Sequence, residues 1–247
     1  MNSANEHFVI AHMYPDLMNL YGDWGNLICI KRRMEWRGLT CEIRSIGLEQ
    51  SFQMKDVDMI FMGGGSDREQ NLVYHDLIQK SDELMNEVDD GLPVLCVCGA
   101  YQLLGKEYRA YDGTIMKGLG LFDLYTIGEK DRLIGNIAIE SELDEDKASV
   151  VGFENHGGRT YLDDAELSPF GSVLRGYGNN GKDGGEGLHY RNLIGTYLHG
   201  PLLPKNPVVA DYFIRNMAKR KGVIIQQELD DQIENFAHQQ VKEKLGL

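Results

Sequence analysis

The sequence predicts an α/β protein with a mostly parallel central sheet and a strand-rich second half. Two observations carry this prediction. Short apolar runs alternate with helical segments up to about residue 108, and the opening strand–helix–strand order is typical of parallel strands with right-handed crossovers. Beyond that point, strand-like segments follow one another through glycine-rich connections. We therefore predict a single domain over 1–247, with a core at about 8–221 and a helical extension at about 222–247.

Helix start and stop signals mark the boundaries of the elements in the first half. Gly38 ends the first helix, and Ser66 with Glu69 forms a capping box for a helix that continues to about residue 90. The loop 20–26 leads from the first strand into the first helix. The predicted strands are 8–13, 41–46, 56–62 and 94–97.

The second half alternates strands with glycine-dense segments. We expect the segments 154–160 and 176–187 to be loops, with a hairpin turn at 179–181. The predicted strands are 119–126, 133–139, 150–153, 172–177, 188–190 and 193–198, and the predicted helices are 208–220 and 229–245. The last helix carries an apolar stripe, which predicts docking on the domain's own flank or on a partner.

Charge and composition exclude several classes of function. The chain has 25 basic and 38 acidic residues, a net charge of −13, which argues against nucleic acid and anionic membranes as direct partners. No run approaches the roughly 18 apolar residues of a membrane span, and the first residues lack a signal-peptide pattern, so a cytoplasmic protein is expected. Four cysteines without CxxC or zinc-like spacing predict neither a disulfide framework nor a metal site.

The run 94–105 places Cys98 on a turn between a buried strand and a helix. A nucleophile at such a turn is exposed at the carboxyl edge of a sheet, and the helix N-terminus favours its thiolate form. The small residues Cys96 and Ala100 on either side fit this arrangement. The alternative is an inert cysteine in a parallel strand, because free cysteines are often buried.

Two further features complete a set of groups for acyl transfer. Three glycines, Gly63 to Gly65, lie between a strand and a capped helix, where backbone N–H groups can face a ligand. His199 ends the last strand and is a candidate base for Cys98. The alternatives are a tight turn for the glycines and an ordinary core or surface role for the histidine.

Five runs resemble one known family. They are GGGSDREQ (63–70), CGAYQLLG (98–105), GFENHGGRT (152–160), GYGNN (176–180) and LIGTYLHGPLLPKNP (193–207). In this order they resemble the class I glutamine amidotransferases of the cobyric acid synthase (CobB/CobQ) type. The resemblance covers nearly the whole chain. It implies a three-layer, flavodoxin-like fold and an enzyme that hydrolyses L-glutamine to glutamate and ammonia.

The resemblance assigns roles to individual residues. Cys98 is the expected nucleophile, His199 its base, and Arg132, in the run RLIG, the residue that holds glutamine. Arg68 and Arg159 are the alternatives to Arg132. The remaining expected contacts with glutamine are Gly64, Gln102 and Asn155, and the expected oxyanion donors are Gly64, Gly65 and Gly99. Ala100 departs from the family's usual glycine, which is tolerated unless the position needs a positive φ.

The resemblance also implies a partner. Within the family the chain is most similar to glutaminase subunits that pass ammonia to a Mur-ligase-like protein, MurT, in a heterodimer. MurT would bind ATP and Mg²⁺ and amidate the D-glutamate of lipid II, and this chain has no Walker-type loop of its own. The alternatives are a glutaminase for another synthetase, as in corrinoid amidation, and a catalytically silent binding subunit.

The acid that would orient His199 is missing from its usual place. Many class I amidotransferases have a glutamate two residues after the histidine, where this chain has Pro201. We expect the acid to come from the partner, from Glu154 or Glu186 in this chain, or to be replaced by a backbone carbonyl.

Overall fold

The computed structural model describes residues 7–144 and 146–247. Its strands are β1 His7–Met13, β2 Thr40–Ile46, β3 Met59–Met62, β4 Val94–Val97, β5 Glu107–Arg109, β6 Ile115–Lys117, β7 Leu124–Leu143, β8 Asp146–Leu162, β9 Gly171–Arg175, β10 Gly185–Glu186, β11 Leu188–Tyr190 and β12 Leu193–Thr196. Its α-helices are α1 Gly25–Trp36, α2 Asp67–Leu77, α3 Ser81–Asp89, α4 Gly99–Leu103, α5 Pro207–Lys221 and α6 Gln232–Lys244.

The central sheet has the order β11-β12-β4-β3-β1-β2. All neighbours are parallel except β11, which pairs antiparallel with β12. β3 and β4 are buried along their whole length, as expected for parallel strands covered on both faces. This arrangement confirms the predicted α/β fold with a mostly parallel central sheet.

The second sheet has the order β10-β9-β7-β5-β6, with β8 paired antiparallel to β7. The prediction of a loop at 154–160 is wrong, because this segment lies inside β8. A β-carbon on Gly158 would lie 2.4 Å from Nε2 of Gln102 and 2.7 Å from Cγ2 of Thr126. The glycine is therefore needed for close packing within a strand rather than for a turn.

Other boundaries also differ from the prediction. The helix expected to reach residue 90 is divided into α2 and α3 by a 3₁₀ turn at 78–80. The strands expected at 119–126 and 133–139 are largely one long strand, β7, interrupted by an irregularity between Gly128 and Leu133. Among the described residues, no helix is long and apolar enough to cross a membrane.

The C-terminal extension is fixed to the domain by Arg33 of α1. This guanidinium is 2% exposed and pairs with two carboxylates, at 2.8 Å from Asp211 and 2.6 Å from Asp231. Asp211 belongs to α5, whereas Asp231 immediately precedes α6. A charge buried this deeply is tolerated only when it is paired, so the contact holds the extension in place.

Helix α6 packs on the domain mainly through polar groups. His238 contacts the Oγ of Ser149 at 2.9 Å and the carbonyl oxygen of Lys205 at 2.9 Å. Ile233 and Phe236 of the predicted apolar stripe are 81% and 66% exposed. The expectation that these two residues pack on the domain is wrong, and docking of the stripe on a partner stays a prediction.

Replacing Arg33 should destabilise the protein far more than replacing its neighbour. We expect Arg33→Ala to lower the free energy of unfolding by about 3 kcal/mol. This is the low end of the usual cost of breaking a buried ion pair, because the side chains of Asp211 and Asp231 are still 19% and 20% exposed to solvent. Arg32, on the same helix, is 64% exposed and, within 7–144 and 146–247, pairs with Glu35 alone. Arg32→Ala should therefore change stability by less than about 0.5 kcal/mol. Urea denaturation measures both variants, and equal effects would contradict the proposed anchoring.

Candidate active site

The carboxyl ends of neighbouring central strands bring the site together. β4 lies between β3 and β12, and β1 lies on the other side of β3. The segments that leave these strands contain Cys98, the glycines 63–65, His199 and the loop 14–24. Open α/β sheets bind their ligands at this edge. The sheet order therefore explains how residues far apart in the sequence form one cleft.

Cys98 occupies the turn between β4 and α4, as predicted. Its backbone has φ 53° and ψ −108°, an unfavourable conformation for a residue with a side chain. The N–H of Cys98 donates to the carbonyl of Thr196 at 2.8 Å, and its own carbonyl accepts from Gln102 at 3.0 Å. Ala100 is not among the described residues with positive φ, so alanine is compatible with this turn.

The glycine loop passes directly beside the thiol. A β-carbon on Gly64 would lie 3.7 Å from Sγ of Cys98 and 3.8 Å from the backbone nitrogen of Gly99. One on Gly99 would lie 3.1 Å from the backbone nitrogen of Gly65. Side chains at these positions would fill the space beside the sulfur, whereas glycines leave it open to backbone N–H groups.

His199 is held between the two sheets. Its backbone pairs with Phe153 of β8 through bonds of 2.9 and 3.2 Å. The Nδ1 atom of its ring lies 3.0 and 3.2 Å from the two carboxylate oxygens of Asp23. Asp23 is fully buried and His199 is 3% exposed. The carboxylate therefore fixes both the orientation of the ring and the proton on Nδ1.

The other ring nitrogen of His199, Nε2, is not engaged by Asp23. Nε2 is buried and makes no hydrogen bond of ordinary geometry to a described residue, but Cys98 is near enough to influence the ring's ionisation. Burial opposes the charged imidazolium, yet the contacts with Asp23 and Cys98 outweigh it and raise the pKa of His199 to about 10. His199 is thus mostly protonated at neutral pH.

The acid that contacts His199 is Asp23, whereas Glu154 and Glu186 were the candidates predicted within this chain. The carboxylate of Glu154 accepts hydrogen bonds from the backbone of Tyr177 and Gly178 instead. Glu186 accepts from Thr196 and Tyr197, and burial raises its pKa to about 8. Neither glutamate contacts His199, and the carboxylate that does so belongs to Asp23 of this chain, which was not among the predicted alternatives.

Packing explains why Asp23 reaches this position. Pro201 lies against Gly25 so closely that a β-carbon on the glycine would be 2.7 Å from Cγ of the proline. The Oδ1 of Asn26 accepts a hydrogen bond from the N–H of Leu203 at 2.9 Å. The start of α1 is therefore fixed against the segment that follows His199, and Asp23, just before the helix, lies against the histidine ring.

Arg132 lies in the interrupted part of β7 and lines the same cleft as Cys98. This cleft has a volume of about 520 Å³. The Nε of Arg132 donates to Oδ1 of Asn155 at 2.7 Å, and Nη2 donates to the carbonyl oxygen of Asn155 at 2.6 Å. Asn155, expected to contact glutamine, thus orients Arg132. The third donor contact is Nη2 to the hydroxyl oxygen of Tyr21 at 3.1 Å.

The two alternative arginines differ in their surroundings. Arg159 is buried, and its guanidinium donates to backbone carbonyls of Gly157 and Asp131. Arg68 is exposed on α2 and also lines the cleft. The structure therefore leaves Arg132 and Arg68 accessible from the cleft, and Arg132 is the one whose orientation is fixed by neighbouring groups.

Gln102 lines the cleft but belongs to a buried hydrogen-bond network. Its Oε1 accepts from Gln70 at 3.2 Å, and its Nε2 donates to the hydroxyl of Tyr197 at 3.0 Å. The ring of Tyr197 stacks on His156, with centroids 3.7 Å apart and planes 4° apart. Burial lowers the pKa of His156. These contacts indicate that Gln102 stabilises the cleft wall.

Two residues of the site, Asp23 and Tyr21, were not predicted from the sequence. Both lie in the loop that follows β1, at the same sheet edge as Cys98. The ring of Tyr21 is 4.6 Å from that of His199, with the planes tilted by 51°. A possible signal was the acidic residue in a glycine-spaced loop at the end of a parallel strand.

Comparisons with known proteins show the family to which the chain belongs. Residues 9–207 match the CobB/CobQ-like glutamine amidotransferase domain. The chain is 44% identical over 231 residues to the lipid II isoglutaminyl synthase (glutamine-hydrolyzing) subunit GatD of Staphylococcus aureus, covering 93% of each chain. It is 40% identical to the GatD subunit of Streptococcus pneumoniae, covering 86% of this chain and 81% of the relative. A probable cobyric acid synthase of Methanocaldococcus jannaschii is 34% identical over 58% of this chain but only 30% of its own length.

Solved structures show the same fold at low sequence identity. PurLQS from Thermotoga maritima aligns with a TM-score of 0.57 and 13% identity, over 86% of this chain and 98% of that one. The glutaminase domain of Trypanosoma brucei CTPS, with bound acivicin, aligns with a TM-score of 0.54 and 12% identity, over 90% and 98%. On the match over residues 9–207 and the two relatives at 40% identity or more, the chain belongs to the family of CobB/CobQ-like glutamine amidotransferases.

Proposed function

We propose that this chain is the glutaminase subunit of a two-protein synthase that amidates lipid II. The observation that carries the proposal is the contact of Asp23 with His199 beside Cys98, in a cleft that also contains Arg132. The pathway is supported by the two relatives that are named GatD subunits of lipid II isoglutaminyl synthase. The partner in this proposal is the Mur-ligase-like MurT, which binds ATP and Mg²⁺, and the chain acts in the cytoplasm without a cofactor of its own.

The chemistry begins with attack on the side-chain amide of L-glutamine. The sulfur of Cys98 attacks as the thiolate, with the proton held on His199, and forms a bond to the amide carbon while the carbonyl oxygen becomes an oxyanion. Backbone N–H groups around Gly64, Gly65 and Gly99 stabilise that charge, because glycines leave the position beside the thiol open. Arg132 holds the α-carboxylate of glutamine by a charge-assisted hydrogen bond.

His199 then transfers protons in both halves of the reaction. With a pKa of about 10, it carries the proton that the departing nitrogen needs to leave as ammonia. The carbon–nitrogen bond breaks and a γ-glutamyl thioester remains on Cys98. The neutral imidazole next removes a proton from water, which attacks the thioester and releases glutamate. Asp23 keeps Nε2 directed at the reacting atoms in each step.

Two other functions remain alternatives. A corrinoid-type synthetase could use the same ammonia, but the chain spans only 26% to 38% of the length of the cobyric acid synthases to which it is similar. A catalytically silent subunit would not need an ordered Cys98, His199 and Asp23. Amide-¹⁵N glutamine, supplied to the chain together with MurT, ATP, Mg²⁺ and lipid II, distinguishes these functions. We expect ¹⁵N in the amide of D-isoglutamine, and its absence, with glutamine hydrolysed, would favour a different synthetase.

Replacing Cys98 by alanine should abolish glutamine hydrolysis. Removing a covalent nucleophile costs on the order of 10⁴-fold or more in kcat, whereas the β-carbon and the backbone of the turn are retained. Glutamate release by the purified chain, alone and with its partner, measures this. Cys29→Ala, which removes a half-buried thiol of α1, is the matched control and should keep normal activity. A Cys98→Ala rate within tenfold of the unaltered chain would contradict the assignment.

Adding a methyl group at Gly64 should block the oxyanion position. Gly64 has no positive φ, so alanine is compatible with its backbone, but the new carbon would lie 3.2 Å from Cβ of Cys98. We expect kcat to fall by a factor on the order of 10²–10³ while the thermal unfolding temperature changes little. Gly47→Ala, where a β-carbon meets no atom within 4 Å, is the control. Similar activity of the two variants would show that the oxyanion lies elsewhere.

A further inference from the structure

Tyr21 contacts both His199 and Arg132, the residues proposed to act on opposite ends of glutamine. Its ring packs against His199 at a centroid distance of 4.6 Å, and its hydroxyl oxygen accepts a hydrogen bond from Nη2 of Arg132 at 3.1 Å. The side chain is 38% exposed and lines the cleft with Cys98. One residue thus contacts both the proposed base and the proposed carboxylate-binding cation.

The hydrogen bonds of Arg132 show which donors are still available. Nε and both hydrogens of Nη2 are directed at Asn155 and Tyr21. No described residue accepts a hydrogen bond from Nη1, and a β-carbon on Gly157, another cleft residue, would lie 3.8 Å from it. Nη1 therefore has donors free for a ligand in the cleft.

The hydroxyl of Tyr21 has a free donor as well. A phenolic hydroxyl both donates and accepts, and here its oxygen accepts from Arg132. Its own hydrogen has no acceptor among the described residues. Nη1 of Arg132 and the hydroxyl of Tyr21 are thus two unused donors on adjoining groups, and a carboxylate, which accepts through two oxygens, matches this pair.

We propose that Tyr21 donates a hydrogen bond to the α-carboxylate of glutamine beside Arg132, while its ring holds the imidazole of His199 in place. The proposal rests on the glutaminase function proposed above and adds a substrate-binding residue that also positions the base. The ring packs against the imidazole whether or not the carboxylate is bound, so substrate binding by the hydroxyl and positioning by the ring are separate roles. Substrates that lack the carboxylate lose only the hydrogen bond from the hydroxyl.

The two roles of Tyr21 can be separated by two substitutions. Tyr21→Phe keeps the ring and removes the hydroxyl, so KM for L-glutamine should rise about 10-fold or more, the usual loss for a hydrogen bond to a charged group, with kcat within about twofold. Tyr21→Leu removes the ring as well, so kcat should also fall and the pH–rate profile of hydrolysis should shift. Tyr161→Phe, whose ring stacks on Tyr125 outside the cleft, is the matched control.

A second substrate makes the test specific for the carboxylate. The α-amide of L-glutamine keeps the side-chain amide but has no negative charge at the α-position. The unaltered chain and Tyr161→Phe should prefer L-glutamine over this amide, and Tyr21→Phe should reduce the preference about tenfold by raising KM for L-glutamine alone. All assays use the full chain, alone and in complex with its partner.

The possible failures are distinguishable. An unchanged KM and an unchanged preference in Tyr21→Phe, with normal hydrolysis by the unaltered chain, would overturn the role of Tyr21 and leave the glutaminase function intact. Equal losses for both substrates would also overturn it, because they would indicate general damage. If the unaltered chain releases no glutamate in either form, the proposed function itself is wrong.

Discussion

The contact between Asp23 and His199 is the interaction on which the rest of the site depends. The two residues are 176 positions apart, and both are almost completely removed from water. A buried carboxylate is costly unless it is paired, so the contact forms only when the loop after β1 and the segment after β12 are both in place. The geometry around His199 is therefore a product of the assembled central sheet.

This contact also explains how the chain functions with Pro201 after His199-Gly200. The proline packs on Gly25, and Asn26 binds the backbone at Leu203, so the start of α1 is held against the segment that follows His199. Asp23, just before the helix, contacts the histidine ring instead of an acid at residue 201. The same loop presents Tyr21 to Arg132. A single segment, 20–26, thereby contacts both His199 and Arg132.

Backbone strain at Cys98 and the absence of side chains at the neighbouring glycines position the thiol. Cys98 adopts a positive φ, which costs on the order of 1–3 kcal/mol for a residue with a side chain. The surrounding strands offset this cost through the bond from its N–H to Thr196 and through complete burial of β4. Gly64 and Gly99 then allow the backbone of one turn to approach the other. Strain at one residue and close approach at its neighbours create a small polar space beside the sulfur.

Features that depend on strand ends were predictable from the sequence, because parallel strands place their carboxyl ends at one edge. Cys98, His199 and the glycines at 63–65 are such features. Asp23 was not predicted, because it precedes a helix and its loop shows no sign of which strand it will face. The glycines at 157 and 158 suggested a loop, yet they lie in β8, where Gly158 leaves room for Gln102 and Thr126. Packing of one sheet on another leaves no local pattern in the sequence.

The C-terminal helix also shows that packing between elements is not predictable from a local sequence pattern. Its apolar stripe was predictable, but the side that packs on the domain was not, because contacts of His238 with Ser149 and Lys205 fix the helix through polar groups. Arg33 looked like an ordinary basic residue of α1 and is instead buried between Asp211 and Asp231. Such pairings depend on elements almost two hundred residues away.

The pH titration of the His199 ring, followed by NMR of isotopically labelled histidine, tests the central claim most directly. Contact with Asp23 and Cys98 predicts a pKa of about 10 in the unaltered chain. Asp23→Asn should lower it substantially, because the charged acceptor is lost and burial then disfavours the imidazolium. Asp16→Asn, an exposed aspartate of the same loop, should leave it unchanged. A His199 that titrates near 6.5 in the unaltered chain, or that does not respond to Asp23→Asn, would contradict the account.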